Sequence, residues 1–139
     1  MSNPSDKPGS GSAGSLAGTE TPQTAVWKSD FGREYSDRNT FDTEALDRLY
    51  RTNYGVLRTD INENSLRGIE KTASFLEVGC NTGNQLVLLR QMGYSNLSGV
   101  ELQPYALEIA RRRLPGVSLK AGSALTLPHG ASSFDVVFT

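Results

Sequence analysis

Short β-rich segments alternate with helical segments along the second half of the chain, and this order constrains the fold more than any other feature. Runs of β-branched and apolar side chains predict four strands, at residues 74–79, 96–102, 117–122 and 134–139. Helical spacing of apolar side chains predicts helices over residues 84–92 and 104–114. Gly93 ends the first of these helices and Pro104 opens the second. The alternation predicts an α/β fold with a Rossmann-like, doubly wound parallel sheet.

A turn with two glycines follows the first predicted strand and leads into the first of these helices. Gly79 and Gly83 permit close backbone approach and unusual dihedral angles. The free N–H groups at the start of the helix favour an anionic group such as a carboxylate. Glu101 ends the second predicted strand, where a carboxylate can accept both hydroxyl hydrogens of a ribose. Together these features predict a ribonucleoside pocket at the carboxyl edge of the sheet.

The same turn does not match the common phosphate-binding patterns. In the dinucleotide pattern G-x-G-x-x-G, Asn81 replaces the second glycine, and the chain has no G-x-x-x-x-G-K-[ST] phosphate loop. A nucleoside with an amino-acid tail therefore fits better than a pyrophosphate. A nicotinamide-dependent oxidoreductase remains an alternative hypothesis, which the Asn81 mismatch disfavours.

The first 70 residues are organised differently from the rest. The segment before Val26 is rich in Gly, Ser and Pro and lacks aromatic residues, which predicts a disordered tail. Trp27, Phe31 and Tyr35 recur at four-residue spacing and predict an aromatic stripe on one helix. Asp42 is the predicted cap of a second helix that ends near Gly55. We therefore expect three regions: a disordered tail (1–25), a helical segment (26–70) and a partial ligand-binding domain (71–139).

Composition excludes several classes of protein. Fourteen Lys and Arg residues oppose fifteen Asp and Glu residues, so no bulk attraction to nucleic acid or anionic membrane is predicted. No apolar run approaches the ~20 residues that cross a bilayer, and no apolar signal segment begins the chain, so a cytoplasmic location is the expectation. Cys80 is the only cysteine, which excludes an intramolecular disulfide and a multi-cysteine zinc site. No metal site is predicted.

Four sequence segments carry a resemblance to a known family. FLEVGCNTGNQ, GVELQP, LKAGSALTLP and SFDVVFT, in this order and spacing, resemble the first half of class I S-adenosylmethionine-dependent methyltransferases. Upstream, FGREYSDRN at residues 31–39 resembles the methyltransferase subgroup associated with biosynthesis of pseudaminic acid and related surface sugars. The resemblance implies S-adenosyl-L-methionine as the cofactor. It also implies a small-molecule acceptor such as a sugar or sugar nucleotide.

The resemblance implies roles for individual residues. Glu77, Gly79, Asn81 and Gly83 would line the methionine part of the cofactor, and Glu101 would bind the ribose. The full expected cofactor-binding set is Glu77, Gly79, Cys80, Asn81, Gly83, Glu101, Leu102, Ser123 and Ala124. Leu102 would lie beside the adenine. Ser123 stands where the family often has an Asp that contacts the adenine amino group.

The aromatic stripe has two interpretations. It packs against the core, or it forms a lid from which Tyr35 or Arg38 reaches the methionine carboxylate.

Other polar residues have structural interpretations, and no general base is assigned. His129 lies among Pro, Gly and Ser residues and is interpreted as a surface-turn residue, whereas Asp135 is interpreted as structural. Three arginines at 111–113 are interpreted as a solvated helix face. Cys80 has no accompanying base in the sequence and suits a small turn position better than a nucleophile.

The predicted function is S-adenosylmethionine-dependent methyl transfer to an unidentified acceptor. The fold of the family has seven strands, and this chain stops at the fourth. The expectation is therefore a cofactor-binding fragment, incomplete for catalysis by itself. Its fourth strand would be an open edge carrying Val136, Val137 and Phe138. A catalytically inactive nucleoside-binding or scaffold fragment is the alternative from another class.

Overall fold

The computed structural model describes residues 20–139, so most of the segment predicted as a disordered tail lies outside the described residues. Four helices come first: α1 (Pro22–Lys28), α2 (Asp30–Arg38), α3 (Thr43–Tyr54) and α4 (Arg58–Ser65). Strands and helices then alternate as β1 (Ser74–Val78), α5 (Asn84–Gln91), β2 (Asn96–Glu101), α6 (Pro104–Arg113), β3 (Ser118–Ala121) and β4 (Val136–Phe138). Within this part of the chain, no helix is long and apolar enough to cross a membrane.

The strands form one parallel sheet in the order β3-β2-β1-β4. This order confirms the predicted Rossmann-like α/β fold, and each predicted strand and each helix from residue 71 onward is present within two residues of its expected limits. Val78 of β1 pairs with Val100 of β2, and Glu101 pairs with Ala121 of β3. The carboxyl ends of β1, β2 and β3 therefore lie side by side.

The core divides between the two faces of the sheet. On one face, the side chains of α5 and α6 pack on the strands in a cluster that includes Phe75, Leu86, Leu89, Leu107 and Leu119. Leu76, Val78 and Val100 form a smaller cluster, against which Phe134 packs. Alternation along β1 explains the division, because successive side chains of a strand point to opposite faces.

The first helix begins earlier than the sequence predicts. The Thr21 hydroxyl accepts a hydrogen bond from the Thr24 N–H at 3.2 Å, while the Thr24 hydroxyl accepts one from the Thr21 N–H at 2.8 Å. Pro22 occupies the first turn, where its missing N–H costs nothing. This reciprocal cap begins α1 at Pro22, within the segment whose sequence predicts a tail.

The aromatic stripe lies on two helices, not one. Ser29 is extended, ends α1, and caps α2 by accepting a hydrogen bond from the Phe31 N–H at 3.3 Å. Trp27 still packs edge-on against Phe31 and Tyr35, with ring centroids 5.4 and 5.2 Å apart. Because Trp27 is 41% exposed and Phe31 is 47% exposed, the interpretation of this stripe as core packing is wrong for both rings. The predicted cap at Asp42 and the helix end at Gly55 are confirmed.

Arg113 corrects the interpretation of the three arginines as a solvated face. Its guanidinium donates to the Thr82 carbonyl and to Asn84 Oδ1, each at 2.7 Å, and to the Phe41 carbonyl. Asn84 completes the contact by accepting from the Phe41 N–H at 3.1 Å and donating to the Asn39 carbonyl at 2.6 Å. The segment between α2 and α3 is thereby joined to the glycine turn and to α6. Neighbouring Arg112 is exposed, as predicted.

We predict that Arg113→Met lowers the free energy of unfolding by about 2–3 kcal/mol, because several partly buried acceptors lose a charged donor at once. Arg112→Met is the matched control, and its exposed side chain should change stability by less than about 0.5 kcal/mol. Denaturant unfolding of the two variants makes the comparison. Equal losses in the free energy of unfolding would contradict the role of Arg113 in joining the segment between α2 and α3 to the glycine turn and α6.

Candidate functional site

A cavity of about 660 Å³ opens at the carboxyl edge of the sheet. The ends of β1, β2 and β3 form its floor, and α1 and α2 form its opposite wall. The residues from the sheet side are Val78, Gly79, Asn81, Glu101, Leu102, Gln103, Gly122, Ser123, Ala124, Leu125 and Thr139. Those from the helical wall include Thr24, Trp27, Gly32, Tyr35 and Ser36. The cavity therefore lies where parallel α/β sheets bind ligands.

Most of the predicted cofactor-binding residues meet at this cavity. Its lining contains Gly79, Asn81, Glu101, Leu102, Ser123 and Ala124. The structure does not bring Glu77, Cys80 or Gly83 to its surface. Binding of a cofactor by any of these residues stays a prediction.

The carboxylate of Glu101 is held by two backbone groups. Oε2 accepts from the Asn81 N–H and Oε1 from the Gln103 N–H, each at 2.7 Å. Glu101 is 9% exposed, so the carboxylate is oriented within the cavity wall and not free in solvent. Each carboxylate oxygen has a further lone pair with which it can accept a hydroxyl hydrogen. The group is thus suited to bind two neighbouring hydroxyl groups of a ligand.

The glycine turn curves back on the end of β2. The N–H groups of Gly79 and Cys80 both donate to the Val100 carbonyl, at 2.8 and 3.0 Å. Gly79 has a positive φ of 76° and Asn81 of 46°, a region that side chains rarely adopt. Asn81 Oδ1 is buried without a hydrogen-bond partner. The turn therefore presents strained backbone and an unsatisfied acceptor beside the cavity.

Gly83 and Cys80 have packing roles that explain their distance from the cavity. A Cβ at Gly83 would lie 2.5 Å from Leu114 Cδ1, so glycine lets the turn pack against the end of α6. The Cys80 thiol lies in the core cluster, and burial, followed by the charges of Glu77 and Glu101, raises its pKa. The thiol stays protonated at neutral pH. The interpretation of Cys80 as a turn residue and not a nucleophile is supported.

Glu77 is a half-buried carboxyl group at the end of β1 with one unsatisfied oxygen. Its Oε2 atom has no hydrogen-bond partner. The pKa of Glu77 is raised from 4.5 to about 8, mainly by burial; the charge of Arg58 lowers the pKa, and the charge of Glu101 adds to the rise. A buried carboxyl group without a partner is costly to ionise. Glu77 thus has the environment of a group that gains from a nearby cation.

Gln103 is the main site residue that sequence reasoning missed. It is 4% exposed, and its Nε2 donates to the Trp27 carbonyl at 2.9 Å and to the Ser29 carbonyl at 3.2 Å. Its Oε1 accepts from the Tyr105 N–H at 3.1 Å and caps α6. A polar residue directly before Pro104 is the sequence signal that indicates this cap. The contacts with α1 come from a segment 74 to 76 residues away, and no local pattern reports them.

The two residues of the lid interpretation, Tyr35 and Arg38, lie in different surroundings. Tyr35 lines the cavity, but Arg38 is directed elsewhere, with a 60% exposed side chain 3.6 Å from Glu34. Arg38 thus has an ion-pair partner, Glu34, one turn away on the same helix. The geometry does not support the predicted contact between Arg38 and a methionine carboxylate. The Tyr35 half of the interpretation remains a prediction.

The remaining polar candidates lie away from the cavity. The Asp135 carboxylate accepts from the Ser74 N–H and hydroxyl at 2.8 and 2.7 Å, which lowers its pKa and ties β4 to β1, as its structural interpretation predicts. The His129 ring packs edge-on against Phe134 with centroids 5.0 Å apart, and burial lowers its pKa. His129 is part of the loop before β4 and does not line the cavity.

The second half of the chain matches a known family. Residues 75–139 match a family described as a methyltransferase domain. An uncharacterized methyltransferase-like protein of Schizosaccharomyces pombe is 31% identical over 106 residues, which cover 75% of this chain and 41% of that protein. The human EEF1A lysine methyltransferase 2 is 28% identical over 144 residues, covering 95% of this chain and 56% of that protein. The chain thus spans about half the length of these relatives.

Solved structures share the fold. The geranyl diphosphate C-methyltransferase of Streptomyces coelicolor, in complex with S-adenosyl-L-homocysteine, gives a TM-score of 0.54 at 17% identity, covering 68% of this chain and 36% of that one. A proposed S-adenosyl-L-methionine-dependent methyltransferase from Methanococcus maripaludis gives a TM-score of 0.53 at 16% identity, covering 71% of this chain and 50% of that one. At these identities the likeness concerns the fold alone.

We predict that Glu77→Gln changes the pH dependence of stability. Because the pKa of Glu77 is raised in the folded chain, its stabilising contribution is present below about pH 4.5 and is lost as the pH rises through about 8. Across this pH interval, the free energy of unfolding of the variant should rise relative to that of the wild type by up to about 1.4 kcal/mol per pH unit. Urea unfolding at several pH values measures the difference. Exposed Glu70→Gln is the control, and a difference that is independent of pH would contradict the burial of the Glu77 charge.

Proposed function

We propose that residues 75–139, which match a methyltransferase domain, form the cofactor-binding half of a class I S-adenosylmethionine-dependent methyltransferase, and that this chain binds the cofactor in the cavity between the sheet and the helices α1 and α2. The observation that carries the proposal is the Glu101 carboxylate, which two backbone N–H groups orient at the end of β2. Its remaining acceptor positions fit the two hydroxyl groups of the cofactor ribose. Leu102, Ser123 and Ala124 would then enclose the adenine, and Gly79 and Asn81 would approach the methionine part.

Two unsatisfied atoms support a site for the amino-acid end of the cofactor. Asn81 Oδ1 and Glu77 Oε2 are both buried acceptors without a donor. A buried acceptor without a partner costs free energy, and the cofactor ammonium group supplies N–H donors and a positive charge. The residues present therefore fit S-adenosylmethionine. A bound ammonium group would lower the raised pKa of Glu77 and favour its ionised form, even though the side chain lies behind the cavity surface.

When bound, the cofactor supplies a methyl group made electrophilic by its sulfonium. The residues around the cavity would position and enclose it: Glu101 would hold the ribose, the glycine turn would hold the methionine part, and Trp27 and Tyr35 would shield the cavity from water. Alignment of an acceptor with the reacting carbon is the main contribution required of the protein. Among the described cavity residues Glu101 has the only charged side chain, and its carboxylate accepts from two N–H donors.

For the acceptor, we propose a small polyhydroxylated molecule such as a sugar or sugar nucleotide in surface-sugar biosynthesis. The segment that resembles the surface-sugar subgroup, residues 31–39, forms most of α2, and this helix contributes Gly32, Tyr35 and Ser36 to the cavity. The wall is neutral, with hydroxyl groups from Thr24, Tyr35 and Ser36 beside the Trp27 ring. The Thr24 and Ser36 hydroxyls donate to the Thr21 and Gly32 carbonyls, each at 2.8 Å, and their oxygens can still accept from sugar hydroxyls beside the aromatic rings of Trp27 and Tyr35.

A lysine side chain is the second candidate acceptor. It is favoured by the human relative, whose name describes a lysine methyltransferase and whose similarity extends over 95% of this chain. Transfer of a labelled methyl group from S-adenosylmethionine separates the candidates, with amino sugars and nucleotide sugars in one set of reactions and lysine-containing peptides in the other. Labelling of peptides alone would overturn the sugar proposal. Cofactor binding without any transfer would favour the scaffold alternative.

We predict that Glu101→Gln raises the dissociation constant of S-adenosylhomocysteine by about 10- to 100-fold, because a neutral amide replaces a charged acceptor at the ribose. Calorimetric titration measures the change. Glu108→Gln, on the exposed side of α6, should leave the dissociation constant unchanged. Equal affinity of the Glu101 variant and the wild type would contradict the assignment of the ribose to this carboxylate.

A further inference from the structure

The wall formed by α1 and α2 has few apolar contacts with the rest of the protein. No residue of α1 is buried, and only Gly32 and Ser36 are buried in α2. Elements held by few buried contacts open locally at low free-energy cost. Specific polar contacts must therefore hold this wall over the cavity.

Gln103 makes the central contact. Its side-chain amide donates to the Trp27 and Ser29 carbonyls, which are the backbone atoms of the junction between α1 and α2. A side chain at Gly32 would collide with the Trp27 carbonyl and come within 3.0 Å of Gln103 Nε2, so the junction packs closely around this amide. The same residue donates its backbone N–H to Glu101 Oε1. One residue thus contacts both the helical wall and the carboxylate assigned to the ribose.

Two further contacts define how the wall can move. The Tyr105 hydroxyl donates to Asp37 Oδ1 at 2.7 Å, and the Arg33 guanidinium lies 4.9 Å from the centre of the Tyr105 ring. Both contacts are exposed and therefore weak. Beyond the end of α2, the Asn39 and Phe41 backbone is held by Asn84 and Arg113. The wall is fixed at the end of α2, and Gln103 holds the junction between α1 and α2.

We propose that α1 and α2 form a lid over the cavity, and that Gln103 is a positioning residue that couples the lid to occupancy of the ribose site. The coupling rests on the proposed function. The contact between the Gln103 amide and the α1–α2 junction, here called the latch, does not. Ribose hydroxyls on Glu101 hold the carboxylate and the backbone of Gln103 in place. The Gln103 amide then holds the α1–α2 junction closed. Trp27 and Tyr35 are thereby kept at the cavity while the cofactor is bound.

The only tryptophan of the sequence, Trp27, reports on the lid directly. Gln103→Met keeps the length of the side chain and removes both donated hydrogen bonds. Since the Trp27 ring is 41% exposed in the closed lid, opening should raise its collisional quenching by acrylamide up to about twofold. Affinity for S-adenosylhomocysteine should fall about tenfold, through faster dissociation. Gln91→Met, on exposed α5 surface, is the matched control and should change neither quantity.

The outcomes separate the latch from the proposed function. Unchanged Trp27 quenching in folded Gln103→Met overturns the latch, even if affinity falls. Raised quenching with unchanged cofactor affinity overturns the coupling. Failure of the wild type to bind S-adenosylmethionine overturns the proposed function, while raised quenching in the variant would still support the latch. If Gln103→Met unfolds, Gln103→Glu keeps the acceptor for the Tyr105 N–H and removes the two donors, and it should raise the quenching in the same way.

Discussion

The carboxylate of Glu101, with one backbone N–H on each oxygen, is the interaction on which the rest of the site depends. One donor, Asn81, belongs to the glycine turn after β1, and the other, Gln103, belongs to the segment that opens α6. The side chain therefore connects the two loops that form the cavity floor. A charged acceptor that is mostly buried is stable only with such donors. The same arrangement leaves lone pairs available to a ligand, so the requirements of the fold and of binding are met by one group.

The helices before the sheet depend on residues of the sheet domain and not on a core of their own. Arg113 and Asn84 hold the segment between α2 and α3, and Gln103 holds the junction of α1 and α2. Both contacts reach loops at the carboxyl edge of the sheet. Consequently the helical segment is part of the cavity. Its polar attachments are also easier to open than apolar packing, which is what a wall over a ligand requires.

Those parts of the fold that can be predicted from the sequence depend on contacts between residues that are close along the chain. Strands β1 to β4, helices α5 and α6, the Asp42 cap and the Gly55 end all follow from patterns within a few residues. The positions of Gly79, Asn81 and Glu101 at one edge follow from the rule that parallel strands end on the same side. Errors arose where distant contacts decide the outcome. The local sequence predicts a solvated Arg113 because its partners lie 29 to 72 residues away, and the partners of Gln103 in α1 are comparably distant along the chain.

A structure of the protein with S-adenosylhomocysteine bound tests the central claim most directly. The account predicts that the ribose hydroxyls lie within hydrogen-bond distance of both oxygens of Glu101. It also predicts the adenine beside Leu102 and Ala124, and the amino group near Asn81 and Glu77. A nucleoside bound elsewhere, or one whose ribose does not contact Glu101, would contradict it.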